Sequence, residues 1–160
     1  MHMIGRRKLL RHMALILGTA PVIGIAKAAA GPVVQVYKSP TCGCCSKWVD
    51  HMSAAGFDVE ATNVSDVNAY KKEHGVPGQL YACHTALVEG YIVEGHVPAE
   101  DVIRMLEQKP DIAGIAVPGM PLGSPGMEVP NPVRYETLSF DRNGNIEVFA
   151  VHEPGQQPAG

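Results

Sequence analysis

The chain has 160 residues, with 13 Lys and Arg against 16 Asp and Glu, a formal net charge of −3. Five of the basic residues (Arg6, Arg7, Lys8, Arg11, Lys27) precede residue 29, where no acidic residue occurs, so the remainder carries 8 basic and 16 acidic side chains, a net of −8. That balance excludes a chain built to bind nucleic acid or an anionic membrane, and it favours cations.

The basic start Gly5–Arg11, the moderately apolar run Met13–Ala26 and the small residues Ala28–Ala30 predict an export signal over residues 1–30. Arg6-Arg7-x-Leu9-Leu10, the interrupting Gly18 and Gly24 and the late Lys27 resemble the twin-arginine type, with Sec export as the other route. The apolar run is shorter than the ~20 residues a membrane anchor needs. Residues 31–152 are expected to form one domain, and the roughly 130 residues after the signal are enough to bury most of their apolar surface without a disulfide framework.

Val33–Tyr37 reads as a short buried strand, succeeded by the cysteine loop and a helix from about Cys44 to Ala55, stopped by Gly56. Phe57–Val64 alternates as a second strand, and Asp66–His74 reads as a short helix ended by Gly75 and Pro77. Leu80–Val88 is predicted as a strand whose beginning carries Cys83, returning through Glu89-Gly90 into Tyr91–Glu94. Pro98 opens a helix over Ala99–Gln108, with Val102, Ile103 and Leu106 as its apolar face.

Residues 113–133 differ. Ala116–Pro130, with Pro-Gly-Met at 118–120 and again at 125–127, is predicted to hold neither helix nor central strand. Its apolar side chains argue against a solvated linker, and a loop of that length in a compact domain usually carries function. Tyr135–Phe140 and Ile146–Val151 flank Asn143-Gly144 as a hairpin, and 153–160 reads as a disordered tail.

Three of the four cysteines, Cys42, Cys44 and Cys45, fall within four residues between a strand and a helix. Unpaired N–H groups and the dipole of a helix N-terminus favour thiolate, which is both the nucleophile of disulfide exchange and the ligand of soft metals. Cys42 and Cys45 have the C-x-x-C spacing of exchange enzymes. Cys44 is an extra thiol that would scramble such a pair but would add a ligand to a Cu(I) site. The sequence leaves open whether Cys44 pairs with Cys42, with Cys45 or with nothing, and a structural disulfide is a further reading in an exported protein.

Strand–helix–strand–helix, then hairpin and helix, is the thioredoxin plan. It is an α/β fold with a central mixed sheet flanked by helices, here extended by the Pro/Gly/Met-rich loop and a C-terminal β-hairpin. On that plan Cys83-His84 stands where thioredoxins carry a substrate-docking proline, which would bring Cys83 to the cysteine cluster. Four spaced motifs carry a more specific likeness. They are Thr41-Cys42-Gly43-Cys44-Cys45, Cys83-His84-Thr85-Ala86, Gly90-Tyr91-x-x-Glu94-Gly95-His96-Val97-Pro98, and Ala116–Met120 with Gly123–Glu128. In order, from about 33 to 151, they resemble the CopG-type periplasmic copper-resistance proteins, a thioredoxin-like family. The resemblance implies copper held outside the cytoplasm through clustered cysteine sulfurs, together with thiol redox chemistry.

The expected ligands are Cys42, Cys44, Cys45 and Cys83, bridging several Cu(I) ions, with Met120, Met127 and His84 or His96 completing the shell; cycling with Cu(II) would accompany redox chemistry. The expected partners are copper ions and periplasmic copper chaperones or efflux components, with no nucleic acid and no membrane after signal removal. A second reading is a thiol–disulfide oxidoreductase with Cys42 as nucleophile and Cys45 as resolving thiol. A third, a zinc-stabilised module on Cys42, Cys45, Cys83 and His84, leaves Cys44 and both Pro-Gly-Met units unused.

Overall fold

A computed structural model describes residues 31–154, so the predicted export signal and the last six residues of the tail lie outside the described residues. Among the described residues eleven elements are present: β1 (Val33–Lys38), α1 (Gly43–Ala54), β2 (Asp58–Asn63), α2 (Val67–Glu73), a 3-10 turn (Gly78–Leu80), β3 (His84–Val88), β4 (Tyr91–Gly95), α3 (Ala99–Gln108), β5 (Gly114–Val117), β6 (Tyr135–Phe140) and β7 (Ile146–His152). All seven strands join one mixed sheet in the order β2-β1-β3-β4-β5-β6-β7. β1 runs parallel to β2 and β4 parallel to β5; the remaining neighbours are antiparallel. With α1 and α3 on one face and α2 on the other, this is a thioredoxin-like α/β fold extended by the β6–β7 hairpin.

Pleat alternation divides the interior. Val34 and Val36 of β1, Ala86 and Val88 of β3 and Val93 of β4 face Trp48 and Met52 of α1 and Val102 and Met105 of α3 in one buried cluster. Ile92, Ala116 and Phe140 face the other way, against Val76 and Leu80 beyond α2. Trp48 fixes α1 over the sheet through Nε1–H, which donates to the Val97 carbonyl at 2.8 Å.

Three local expectations are corrected. Gly114–Val117 is a fully buried interior strand, not loop. Four small or β-branched residues are too few to show a period, and Pro118 stops the strand only after its ladder with β4 is complete. β3 starts at His84; Leu80 closes a 3-10 turn, so Cys83 sits just before the ladder rather than within it. On α3, Ala99, Asp101, Val102 and Met105 are buried while Ile103 is exposed, because the hairpin closes over the Asp101 side of the helix. There Asp101 accepts from Thr137 Oγ1 (2.6 Å) and Arg104 (3.0 Å), and lies 2.8 Å from His152 Nε2. No helix among the described residues is long and apolar enough to cross a membrane.

Candidate metal centre

The topology brings three chain segments to one end of the sheet. β1 ends at Lys38, which is in register with His84 at the start of β3, and β4 ends at Gly95, immediately before His96. α1 begins over that end, with Cys42 as its N-cap in extended backbone geometry and Cys45 buried in its first turn. No acidic side chain occupies that first turn, so the positive end of the dipole faces the sulfurs without an anionic neighbour in the helix.

The four cysteine sulfurs lie within 4.8 Å of one another. Cys42 and Cys45 form a disulfide; Cys44 and Cys83 are free thiols. Cys44 Sγ is 3.5 Å from Cys42 Sγ and 3.9 Å from the sulfur of Met120, so a residue of the Pro/Gly/Met loop reaches the cluster. A second, overlapping group joins Cys45 and Cys83 to His84 and His96, again within 4.8 Å. Cys83 Sγ lies 3.1 Å from His96 Nε2 and 3.5 Å from His84 Nδ1.

The two histidines are placed differently. His96 is buried, and its Nδ1 faces Ser124 Oγ at 3.4 Å, which leaves Nε2 for the sulfur. His84 is fully buried against Trp48, with ring centroids 4.3 Å apart, and its Nε2 has no hydrogen-bond partner among the described residues. Burial lowers both imidazoles below their ordinary range, and for His84 the neighbouring His96, Lys71 and Lys38 lower it further. Neutral imidazole keeps the lone pair that ligation uses. Burial, then the adjacent Cys44, push the Cys83 thiol up to about 12, so it is protonated at neutral pH and would lose its proton as a metal arrives.

Met127 enters through its backbone: its N–H donates to the Ser124 carbonyl and its carbonyl accepts from Gly123. Its side chain is half-buried, and no thiol among the described residues donates to its sulfur. Gly126 beside it has φ +90°, and a Cβ there would lie 2.6 Å from the Cys44 carbonyl oxygen. The second Pro-Gly-Met unit thus lies directly on the first turn of α1.

Behind Cys83 stands a buried polar group outside the expected ligand set. Glu94 accepts from Lys71 Nζ, Thr85 Oγ1 and the Ala82 N–H, each at 2.7 Å, and Lys71 also donates to Thr85 at 3.1 Å. Thr85 and Glu94 face each other across β3 and β4. Ala82 also bridges to Gly119, so the same carboxylate steadies the residues next to Cys83 and next to Met120. The available signal in the sequence is a carboxylate in the otherwise apolar strand Tyr91–Gly95, where burial without a partner would be costly.

A cysteine cluster on the first turn of the first helix, met by a thiol from the loop before β3, defines a thioredoxin-like protein with a sulfur site of metal-binding dimensions. A family model described as "Protein of unknown function, DUF411" matches residues 80–127, which hold Cys83, His84, His96, Met120 and Met127 but not the 42–45 cluster. No curated protein matches the chain. Two solved structures, "Copper resistance protein copG- Form 1" and "Copper resistance protein copG- Form 2", are each 40% identical and cover 76% of this chain. They are covered over 97% and 98% of their own length, with TM-scores of 0.72 and 0.73. The chain belongs to the CopG copper-resistance family.

Proposed function

We propose that the protein is exported to the periplasm by its N-terminal signal and there holds Cu(I) for copper resistance, as a cluster bridged by Cys42, Cys44, Cys45 and Cys83. The observation that carries this reading is the convergence of four cysteine sulfurs within 4.8 Å, with a thioether 3.9 Å from one of them. Sulfurs shared between ions let four thiolates hold several Cu(I) ions. Thiolate and thioether are the donors Cu(I) prefers over harder metals. Met120 completes the outer side, Met127 acts as ligand or gate from the same loop, and His84 and His96 close the inner side.

The Cys42–Cys45 disulfide makes capacity depend on redox state. A dithiol donor supplies two electrons to the bond and becomes a disulfide itself; Cys42 and Cys45 become two thiolates that bind copper. Re-oxidation returns those electrons to an acceptor and withdraws both ligands, releasing the cargo to chaperone or efflux partners. Copper cycling would run on the same thiols: the Cys42/Cys45 dithiol, in becoming the disulfide, gives one electron to each of two Cu(II) ions and leaves two Cu(I).

The test is an anaerobic Cu(I) titration against a chromophoric chelator. Reduced protein is expected to take several ions per chain and oxidised protein clearly fewer. Equal uptake by both states, or uptake unchanged when Cys44 and Cys83 are replaced by Ser, contradicts the reading. The disulfide itself favours the second reading, an oxidoreductase with Cys42 attacking and Cys45 resolving. It predicts turnover of a model disulfide substrate by metal-free protein.

A further inference from the structure

The oxidised site keeps a third thiol against its disulfide. With Cys42 and Cys45 joined, Cys44 Sγ lies 3.5 Å from Cys42 Sγ, near van der Waals contact and the separation from which exchange begins. Attack there forms a Cys42–Cys44 bond, breaks Cys42–Cys45 and leaves the electron pair on Cys45 Sγ. Cys44 gives up its proton and Cys45 gains an equivalent thiolate, so the number of disulfides is unchanged and no outside oxidant or reductant takes part.

The geometry selects Cys45 as the leaving sulfur. Cys44 Sγ lies against Cys42 Sγ, so displacement at Cys42 can release only Cys45, whose side chain is fully buried in the first turn of α1 and out of reach of an external thiol. Once free, it completes a different ligand set. Cys45, Cys83, His84 and His96 each offer one ligand atom within 4.8 Å of the others. Cys83 already touches both imidazoles, and His84, fully buried, has no oxygen or nitrogen partner among the described residues: Nε2 is bare and Nδ1 meets only the Cys83 sulfur. A buried ring with one nitrogen unpartnered and the other met only by a sulfur is costly unless something fills the coordination it offers.

We propose that Cys44 moves the disulfide from Cys42–Cys45 to Cys42–Cys44 and so opens a buried two-cysteine, two-histidine site for a tetrahedral metal ion in the oxidised protein. This rests on the proposed copper function and extends it. The protein retains a holding site for its cargo in an oxidising compartment without first being reduced, and the sulfur cluster proper forms only on reduction. Two sulfurs and two imidazoles suit Cu(I) and equally the spectroscopically useful tetrahedral divalent ions.

The test adds Co(II) to oxidised, reductant-free protein, then applies acid quenching, alkylation and peptide mapping. The expected result is a tetrahedral Co(II) band in the visible, with alkylation moving from Cys44 and Cys83 to Cys45 and Cys83. Cys44→Ser protein, in which the Cys42–Cys45 bond persists and Cys83 alone is labelled, is expected to show no band. His96→Ala, which keeps every cysteine, is expected to bind Co(II) at least about tenfold more weakly. A full band in Cys44→Ser protein, label remaining on Cys44 at saturating Co(II), or label appearing on Cys42 through attack by Cys83 overturns the proposal. Normal Cu(I) loading of reduced protein beside a failed Co(II) result would discard the exchange alone; failed Cu(I) loading would discard the copper function itself.

Discussion

At the scale of single residues, Gly126 and Met120 show how the loop is tied to the cysteines. A methyl group at Gly126 would strike the Cys44 carbonyl, and φ is +90° there, so Gly126→Ala must shift the second Pro-Gly-Met unit away from α1. The expected cost is about 1–3 kcal/mol of stability, read from the denaturant midpoint, with weaker Cu(I) retention in parallel. Met120→Leu keeps the volume and removes the thioether. Because Met120 is half-exposed, the denaturant midpoint should hold while Cu(I) is lost more readily to a competing chelator. The repeated Pro-Gly-Met singled out both methionines, since methionine in a Pro/Gly loop is poorly explained as core filler; the structure sets the Met120 sulfur 3.9 Å from Cys44 Sγ, whereas the Met127 sulfur meets no thiol among the described residues.

At the scale of elements, α3 begins with a cap supplied from α1. The Ala99 N–H donates to His51 Nε2 at 3.0 Å, an acceptor that exists only while the imidazole is neutral. Burial lowers His51 below its ordinary value, partly offset by Glu128. An unfolded histidine titrates near about pH 6.5, so the cap's contribution is present above that pH and is lost as pH falls towards the lower folded value. The melting temperature is therefore expected to drop between pH 7 and pH 5, and less steeply in His51→Gln. His84, lowered in the same direction, sustains the remaining slope. A cap of this kind is worth about 1 kcal/mol. The Lys71–Glu94 pair, 1% and 0% exposed, should behave in the opposite manner to a surface bridge. Lys71→Met strands a buried carboxylate and should cost about 3–5 kcal/mol, whereas Lys71→Met with Glu94→Leu should recover much of it, as a double-mutant cycle in denaturant would show. Strands with clear alternation and helices with Gly stops were readable. β5 was not, because Gly114–Val117 owes its place to pairing with β4 rather than to any period of its own.

At the scale of the whole molecule, the sheet order places the ends of β1 and β4 and the start of β3 together, and α1 lays three cysteines across them. The clustering of Cys83 with Cys42, Cys44 and Cys45 was readable because the thioredoxin plan fixes which loops meet. The Cys42–Cys45 pairing was one of several the sequence allowed, and only the turn of α1 that sets Cys45 inward and leaves Cys44 beside Met120 selects it. The Lys71–Glu94–Thr85 group depends on register between distant strands and had only a lone carboxylate to announce it. The central claim, a sulfur-bridged Cu(I) cluster, is tested most directly by X-ray absorption on copper-loaded, reduced protein, native and Cys83→Ser. The expected result is several Cu(I) per chain with sulfur neighbours and short copper–copper distances, both diminished in the variant. Isolated copper ions with nitrogen or oxygen neighbours, unaffected by loss of Cys83, would contradict it.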